Sequence, residues 1–128
     1  MPSRQTLDRF IACVEANTHV KAVAEFYAED CSIRENQAPA RLGRVAQLER
    51  EQQLLSRVRK MTSSCVRPAM LDGDCVAIRW IFEFDWADGS STRLEEVALQ
   101  RWHGELIAEE TFFYDPKQAV AAIPPRQV

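Results

Sequence analysis

The sequence predicts an α+β protein: a cone-shaped roll in which N-terminal helices pack on a strongly curved antiparallel sheet and enclose a pocket. Three observations lead there. Up to Met61 the apolar residues recur at helical spacing, and from Ser63 to Asp115 they alternate with polar ones at the period of a half-buried strand. Asp72-Gly73, Asp88-Gly89 and His103-Gly104 divide the second half at hairpin spacing. Helices followed by an antiparallel meander give the α+β order, and roughly four to six twisted strands curled around one long helix close into a cone with an apolar hollow.

Taken in order, Thr6 is the expected N-cap of a first helix whose Leu7, Phe10, Ile11 and Val14 form one apolar stripe. Asn17 and Thr18 break that helix and cap a second, in which Val20, Val23 and Tyr27 share a face with Ala24. A turn at Glu29 leads into a short strand ending at Asn36, with Cys31 and Ile33 on one face and Ser32 and Arg34 on the other. Pro39 and Gly43 bound a loop. Val45 to Met61 contains no helix breaker and reads as a third helix, with Val45, Leu48, Leu55 and Val58 inward. Its Arg44, Glu49, Arg50, Glu51, Arg57, Arg59 and Lys60 read as a solvated charged face. Pro68 marks the strand after Ser63 as an edge strand or the site of a bulge. Three long strands follow, and a short helical tail runs from Pro116 to Pro124-Pro125.

Composition bounds the function. The 128 residues are expected to form a single domain spanning 1–128, with a core of about 6–120. A net charge of −3 argues against nucleic acid as a partner, because phosphate binding needs a basic face. The apolar runs are too short to span a membrane, and no export signal is recognisable, so the cytoplasm is the expected location. Cys13, Cys31, Cys65 and Cys75 contain no C-x-x-C pair and read as reduced thiols, and two scattered histidines give no metal site. All four glycines stand singly at turns, so no phosphate loop or dinucleotide fingerprint is present and no cofactor is expected.

One face of the three-strand block carries Ile78, Trp80, Phe82 and Phe84, then Glu96, Ala98, Gln100 and Trp102, then Ala108, Glu110, Phe112 and Tyr114. Carboxylates on the buried face of a sheet cost free energy unless they are paired or stand in a wet cavity. A cavity is the reading that gives them work. The other reading is that arginines compensate Glu96 and Glu110, or that a bulge turns one of them outward.

The order of a helix, a second helix ending in FYAEDCSIRE, a third after Gly43 and a meander ending in IAEETFFYDP resembles the nuclear transport factor 2-like superfamily. Within it the likeness is to the SnoaL-like, polyketide cyclase-like branch. It covers about residues 7–120, although Gly104 and Ile107 stand one residue further apart than the usual G-x-I. The superfamily includes ketosteroid isomerases, epoxide hydrolases, dehydratases, polyketide cyclases and non-catalytic binding proteins, so the resemblance implies a fold more than a chemistry.

Laid on the isomerase pattern, Glu35 falls where that family keeps its carboxylate base, but the two oxyanion-stabilising positions are Phe10 and Ala98. Without those donors a steroid-type enolate loses its stabilisation. Phe112 stands nearest the last aspartate of the epoxide hydrolase trio, and His19 and His103 fall in turns rather than at a cyclase position. The candidate catalytic residues are therefore Glu110, Glu96 and Glu35. The candidate ligand contacts are Phe10, Trp80, Phe82, Gln100, Trp102, Phe112 and Tyr114. Carboxylates converging in an apolar pocket raise one another's pKa and suit acid–base work.

Three functions fit: a cofactor-independent isomerase, dehydratase or cyclase acting on a small apolar ligand, a ligand carrier or sensor, and a protein-interaction module. The opposite sheet face mixes Arg79, Glu83, Arg93, Glu95, Arg101 and Glu109 with Ile81, Val97, Leu99 and Phe113, as a self-complementary homodimer surface does. The resemblance implies a dimer through the same face.

Overall fold

The computed structural model describes residues 1–119. Helix α1 (Arg4–Glu15) buries Leu7, Phe10, Ile11 and Val14 along the expected stripe. Its cap is Ser3 rather than Thr6: Ser3 Oγ accepts the Thr6 amide at 3.1 Å, and Thr6 lies buried in the first turn. Helix α2 (His19–Phe26) buries Ala22, Val23 and Phe26 instead of a face built on Val20 and Ala24. Thr18 stands at its N-cap position, but its side chain makes no cap bond, because its hydroxyl donates to the Cys13 carbonyl at 2.7 Å. Strand β1 (Tyr27–Glu35) begins directly at the helix end, with no turn at Glu29, so Tyr27 leaves the helical period and belongs to the sheet. Cys31 and Ile33 point inward, as their alternation requires.

A two-residue strand, β2 (Arg41–Leu42), pairs with β1 inside the segment read as loop. Helix α3 (Arg44–Leu55) then ends six residues before the expected Met61. From Val58 the chain is already strand β3 (Val58–Asp72), pairing Val58 with Trp86 and Met61 with Phe84. Here tertiary pairing overrides helix propensity. The inner side of α3 also differs from expectation. Val45 is 66% exposed and Gln47 only 4%, so Gln47 takes an inward place where Val45 was expected, while Leu48 and Leu54 do pack against the core.

Strands β4 (Cys75–Trp86), β5 (Ser91–His103) and β6 (Leu106–Phe113) follow through the three predicted turns. Gly73, Gly89 and Gly104 all adopt positive φ, which an L side chain at a tight turn resists. The sheet order is β2-β1-β6-β5-β4-β3. It is mostly antiparallel, but β1 runs parallel to β6. These two strands are distant in sequence, so no hairpin dictates their relative direction. Pro68 lies on the edge strand, within a register shift between Val66 and Met70, as both of its sequence readings required.

A second shift sets the phase of β6. Arg101 pairs with Glu109 while Trp102 pairs with Ile107, leaving Ala108 as the extra residue. Ile107 therefore takes the inward place expected of Ala108, and Glu110 stays inward. The concave face of the sheet packs Ile78, Trp80, Trp102 and Ile107 against Leu7, Phe10 and Phe26. The convex face leaves Val97, Leu99 and Phe113 exposed among the ion pairs Arg79–Glu95 and Arg101–Glu109. A 3-10 turn over Pro116–Ala119 returns to β5, where Gln118 accepts the Glu95 amide at 2.7 Å. The predicted end of this tail, Pro124-Pro125, lies outside the described residues.

Candidate functional site

A cavity of about 540 Å³ lies between the concave sheet face and the three helices. Strand β4 supplies its long wall. Period-two alternation places Trp80, Phe82, Phe84 and Trp86 on one side, with Trp80 stacked on Phe82 (5.5 Å) and Phe84 on Trp86 (5.0 Å). Phe10, Val14 and Val23 close the opposite wall, and Phe112 and Tyr114 continue the lining along β6. This volume and this apolar character suit a small organic molecule.

Glu110 is buried among these groups. Its Oε1 accepts from the Tyr27 hydroxyl, and its Oε2 accepts from Gln100 Nε2 at 2.6 Å. Gln100 Oε1 in turn accepts from the Trp102 indole at 2.9 Å. Burial drives the Glu110 pKa up, and the bonds from Tyr27 and Gln100 pull it back, leaving it at about 7. Burial also raises the Tyr27 phenol well above its usual value, and the neighbouring Glu110 raises it further.

Glu96 stands on the same face but not opposite Glu110. Its cross-strand partner is Trp80, whereas Glu110 faces Gln100, four residues along β5. Among the described residues no side chain donates to Glu96. Burial first, and then repulsion from Glu110, Glu35 and Glu51, raises its pKa to about 8. At neutral pH it holds its proton.

The polar end of the cavity is built by β1, β2 and α3. Glu35 bonds Arg41 through one oxygen and Arg50 through the other, the latter at 3.1 Å. Arg41 reaches Gln47 Oε1 at 3.2 Å, and Gln47 Nε2 reaches Glu51 at 3.0 Å. Burial raises the Glu51 carboxyl above the ordinary range. His19 also lines the cavity, and burial lowers its pKa to about 4. Its ring is neutral at physiological pH.

Eight of the ten sequence candidates therefore line one cavity: Glu35, Glu96, Glu110, Phe10, Trp80, Phe82, Phe112 and Tyr114. Gln100 and Trp102 do not. They stand behind Glu110, their polar atoms spent on holding it. Glu35 reaches the cavity with both oxygens engaged by guanidinium groups, which leaves it less free to act as a base than its position suggested. Tyr27, Glu51 and His19 are lining residues that the sequence reading placed elsewhere, and Gln47 is one that it did not single out. Glu51 belonged to a face read as solvated, His19 to a surface turn and Tyr27 to a helix.

No sequence-family model and no curated protein matches the chain. Solved structures do. A Catenulispora acidiphila protein with a ketosteroid isomerase-like fold, solved with trimethylamine, superposes with a TM-score of 0.76 at 16% identity, over 95% of each chain. A Pseudomonas putida protein provisionally described as a polyketide cyclase gives 0.75 at 17% identity, covering 94% of this chain and 96% of that one. A Mesorhizobium loti protein provisionally described as a SnoaL-like polyketide cyclase gives 0.72 at 21% identity, covering 86% and 97%. At these identities the likeness is one of fold: the chain adopts the nuclear transport factor 2-like cone shared by the SnoaL-like proteins.

Proposed function

We propose that this protein binds a small, largely apolar molecule in its cone and moves protons on it without a cofactor, as an isomerase, dehydratase or cyclase. One observation carries the reading. Glu110, deep in an aromatic cavity, keeps two hydrogen bonds and a pKa of about 7, which is poised for proton exchange at neutral pH. Glu96, protonated under the same conditions, supplies an acid in the same space. No helix among the described residues is long and apolar enough to cross a membrane. Cys13, Cys31, Cys65 and Cys75 are free thiols, which suit a reducing compartment, and the cytoplasm is the location we propose. Two copies pair through the convex face in this proposal, covering Val97, Leu99 and Phe113.

A second reading is a carrier of small organic cations. It is favoured by a Glu96 that no side chain among the described residues bonds, beside aromatic rings, and by the trimethylamine held by a protein of the same fold. A thermal-shift screen of carbonyl compounds, lactones, phenols and amines at pH 5.5 and 8, run beside Glu110→Gln, tests both. Ligand at a hundred times its Kd stabilises by about 2.7 kcal/mol. A carbonyl hit whose pH dependence disappears in Glu110→Gln supports the acid–base reading, and hits confined to amines support the carrier. No hit at either pH removes the cavity from consideration.

A further inference from the structure

The geometry points to Tyr27, rather than Glu110 itself, as the group that hands a proton to the ligand, and to a ligand that presents a carbonyl or enolate oxygen to it. This rests on the acid–base reading of the cavity. The argument begins behind the site. The Trp102 indole can only donate, and it donates to Gln100 Oε1. That contact fixes the amide, so the group facing Glu110 Oε2 is the NH2, which has no lone pair to accept with. Oε2 is thus an acceptor in either charge state of Glu110. A proton arriving on Glu110 must sit on Oε1, the oxygen facing the Tyr27 hydroxyl.

A phenol can donate or accept. With Glu110 ionised, Tyr27 donates to Oε1 and offers the cavity only its lone pairs. With Oε1 protonated, Oε1–H donates to Tyr27 Oη and the phenolic hydrogen must turn away. Tyr27 Oη has no other partner among the described residues, and the residue lines the cavity, so the hydrogen is presented there. A ligand oxygen then takes the Tyr27 hydrogen while Tyr27 takes the one on Oε1. Two O–H bonds break, two form, and Glu110 is left as the carboxylate. No further reactant is needed.

The groups acting on this pair through space are Glu51 from α3, Glu35 and Cys31 from β1, and Glu96 from β5. Arg44 donates to the Tyr27 carbonyl at 3.3 Å and is the adjoining cation. Direct contact sets Tyr27 apart from all of them. Gln100 and Trp102 are positioning residues, since Gln100 holds Glu110, Trp102 holds Gln100, and neither lines the cavity.

Two measurements on the whole protein test this. Infrared difference spectra across pH 5–9 isolate the Glu110 carboxyl C=O band as the one absent in Glu110→Gln. In Tyr27→Phe that band moves to higher wavenumber, because the acid loses its acceptor, and its midpoint rises from about 7, because the carboxylate loses a donor. Should Tyr27→Phe fold poorly, fluorotyrosine in a Tyr114→Phe background gives a single ring label, the chain having two tyrosines. Its fluorine shift should titrate with the Glu110 band and become flat when Glu110→Gln is added. A Glu110 band that titrates but does not move in Tyr27→Phe, or a fluorine shift indifferent to Glu110, overturns the role of Tyr27. A Glu110 band that never titrates between pH 5 and 9 overturns the acid–base reading beneath it.

Discussion

Replacing Glu96 with glutamine should make the protein less sensitive to alkali, by an amount that follows from where the carboxyl sits. Folded, Glu96 keeps its proton to about pH 8, whereas the unfolded chain releases it near 4.5. Between those values the folded state binds the extra proton, so stability falls as pH rises, by about 1.4 kcal/mol per pH unit. The contribution is complete below pH 4.5 and gone above about 8. His19 runs the other way. With a folded pKa of about 4 against 6.5, it makes stability rise with pH across that interval and is silent above it. Glu110 adds to the loss only up to about pH 7. The window from pH 6.5 to 8 therefore belongs mainly to Glu96, and across it the wild type should lose about 2 kcal/mol that Glu96→Gln keeps. For a chain of this length that is roughly 6–10 °C in Tm. Urea midpoints at three pH values in the window, with unchanged slopes, measure it. Wild-type and variant curves that stay parallel within about 0.5 kcal/mol would show that Glu96 titrates normally, and the account of the cavity as a low-dielectric space would fail with it.

Other outcomes follow from the same geometry. Glu110→Gln should change stability little at pH 5, because its amide can donate to Tyr27 and accept from Gln100 as the protonated acid does, and the variant should gain on the wild type by pH 8, where the wild type buries a carboxylate. Chemical denaturation at the two pH values reads it. Glu35→Gln should lose about 1 kcal/mol in low salt and less in 1 M salt, since its arginine partners are partly exposed. Leu99→Asp, placed at the centre of the exposed convex face, should convert a dimer to monomers by sedimentation while leaving the fold intact. A monomeric wild type would end the dimer proposal.

The sheet was largely legible because its signals are local. Asp-Gly and His-Gly pairs fix the turns, and a period of two fixes which of Trp80, Glu96 and Gln100 face inward. What escaped depends on partners far along the chain. Nothing in Arg57 to Thr62 forbids helix, and only pairing with β4 makes it strand. The Ala108 bulge is invisible until β5 is laid beside β6. The parallel β1–β6 contact joins segments separated by some 70 residues, and no turn announces it.

The site divides along the same line. Glu96 and Glu110 were legible because each interrupts an apolar face, and an interruption is a signal in itself. Glu51 and Gln47 interrupt nothing: α3 is polar on most of its surface, and which polar side meets the cavity is decided by packing. Nor does sequence separate Glu96 from Glu110, which share a residue type and a sheet face. Their partners separate them. Glu110 is the more deeply buried, yet two donors hold its pKa to about 7, while Glu96 has none among the described residues and rises to about 8. One cavity thus keeps a half-ionised carboxyl and a protonated one at the same pH, the condition for base and acid to act together. A reaction that uses both should be fastest between those two values. Where ionised Glu110 takes the proton and Glu96 gives one, the rate should fall on the acid side as Glu110 protonates and on the alkaline side as Glu96 ionises. A rate with only an alkaline limb, falling as Glu110 loses the proton that Tyr27 passes on, would make Glu110 the donor.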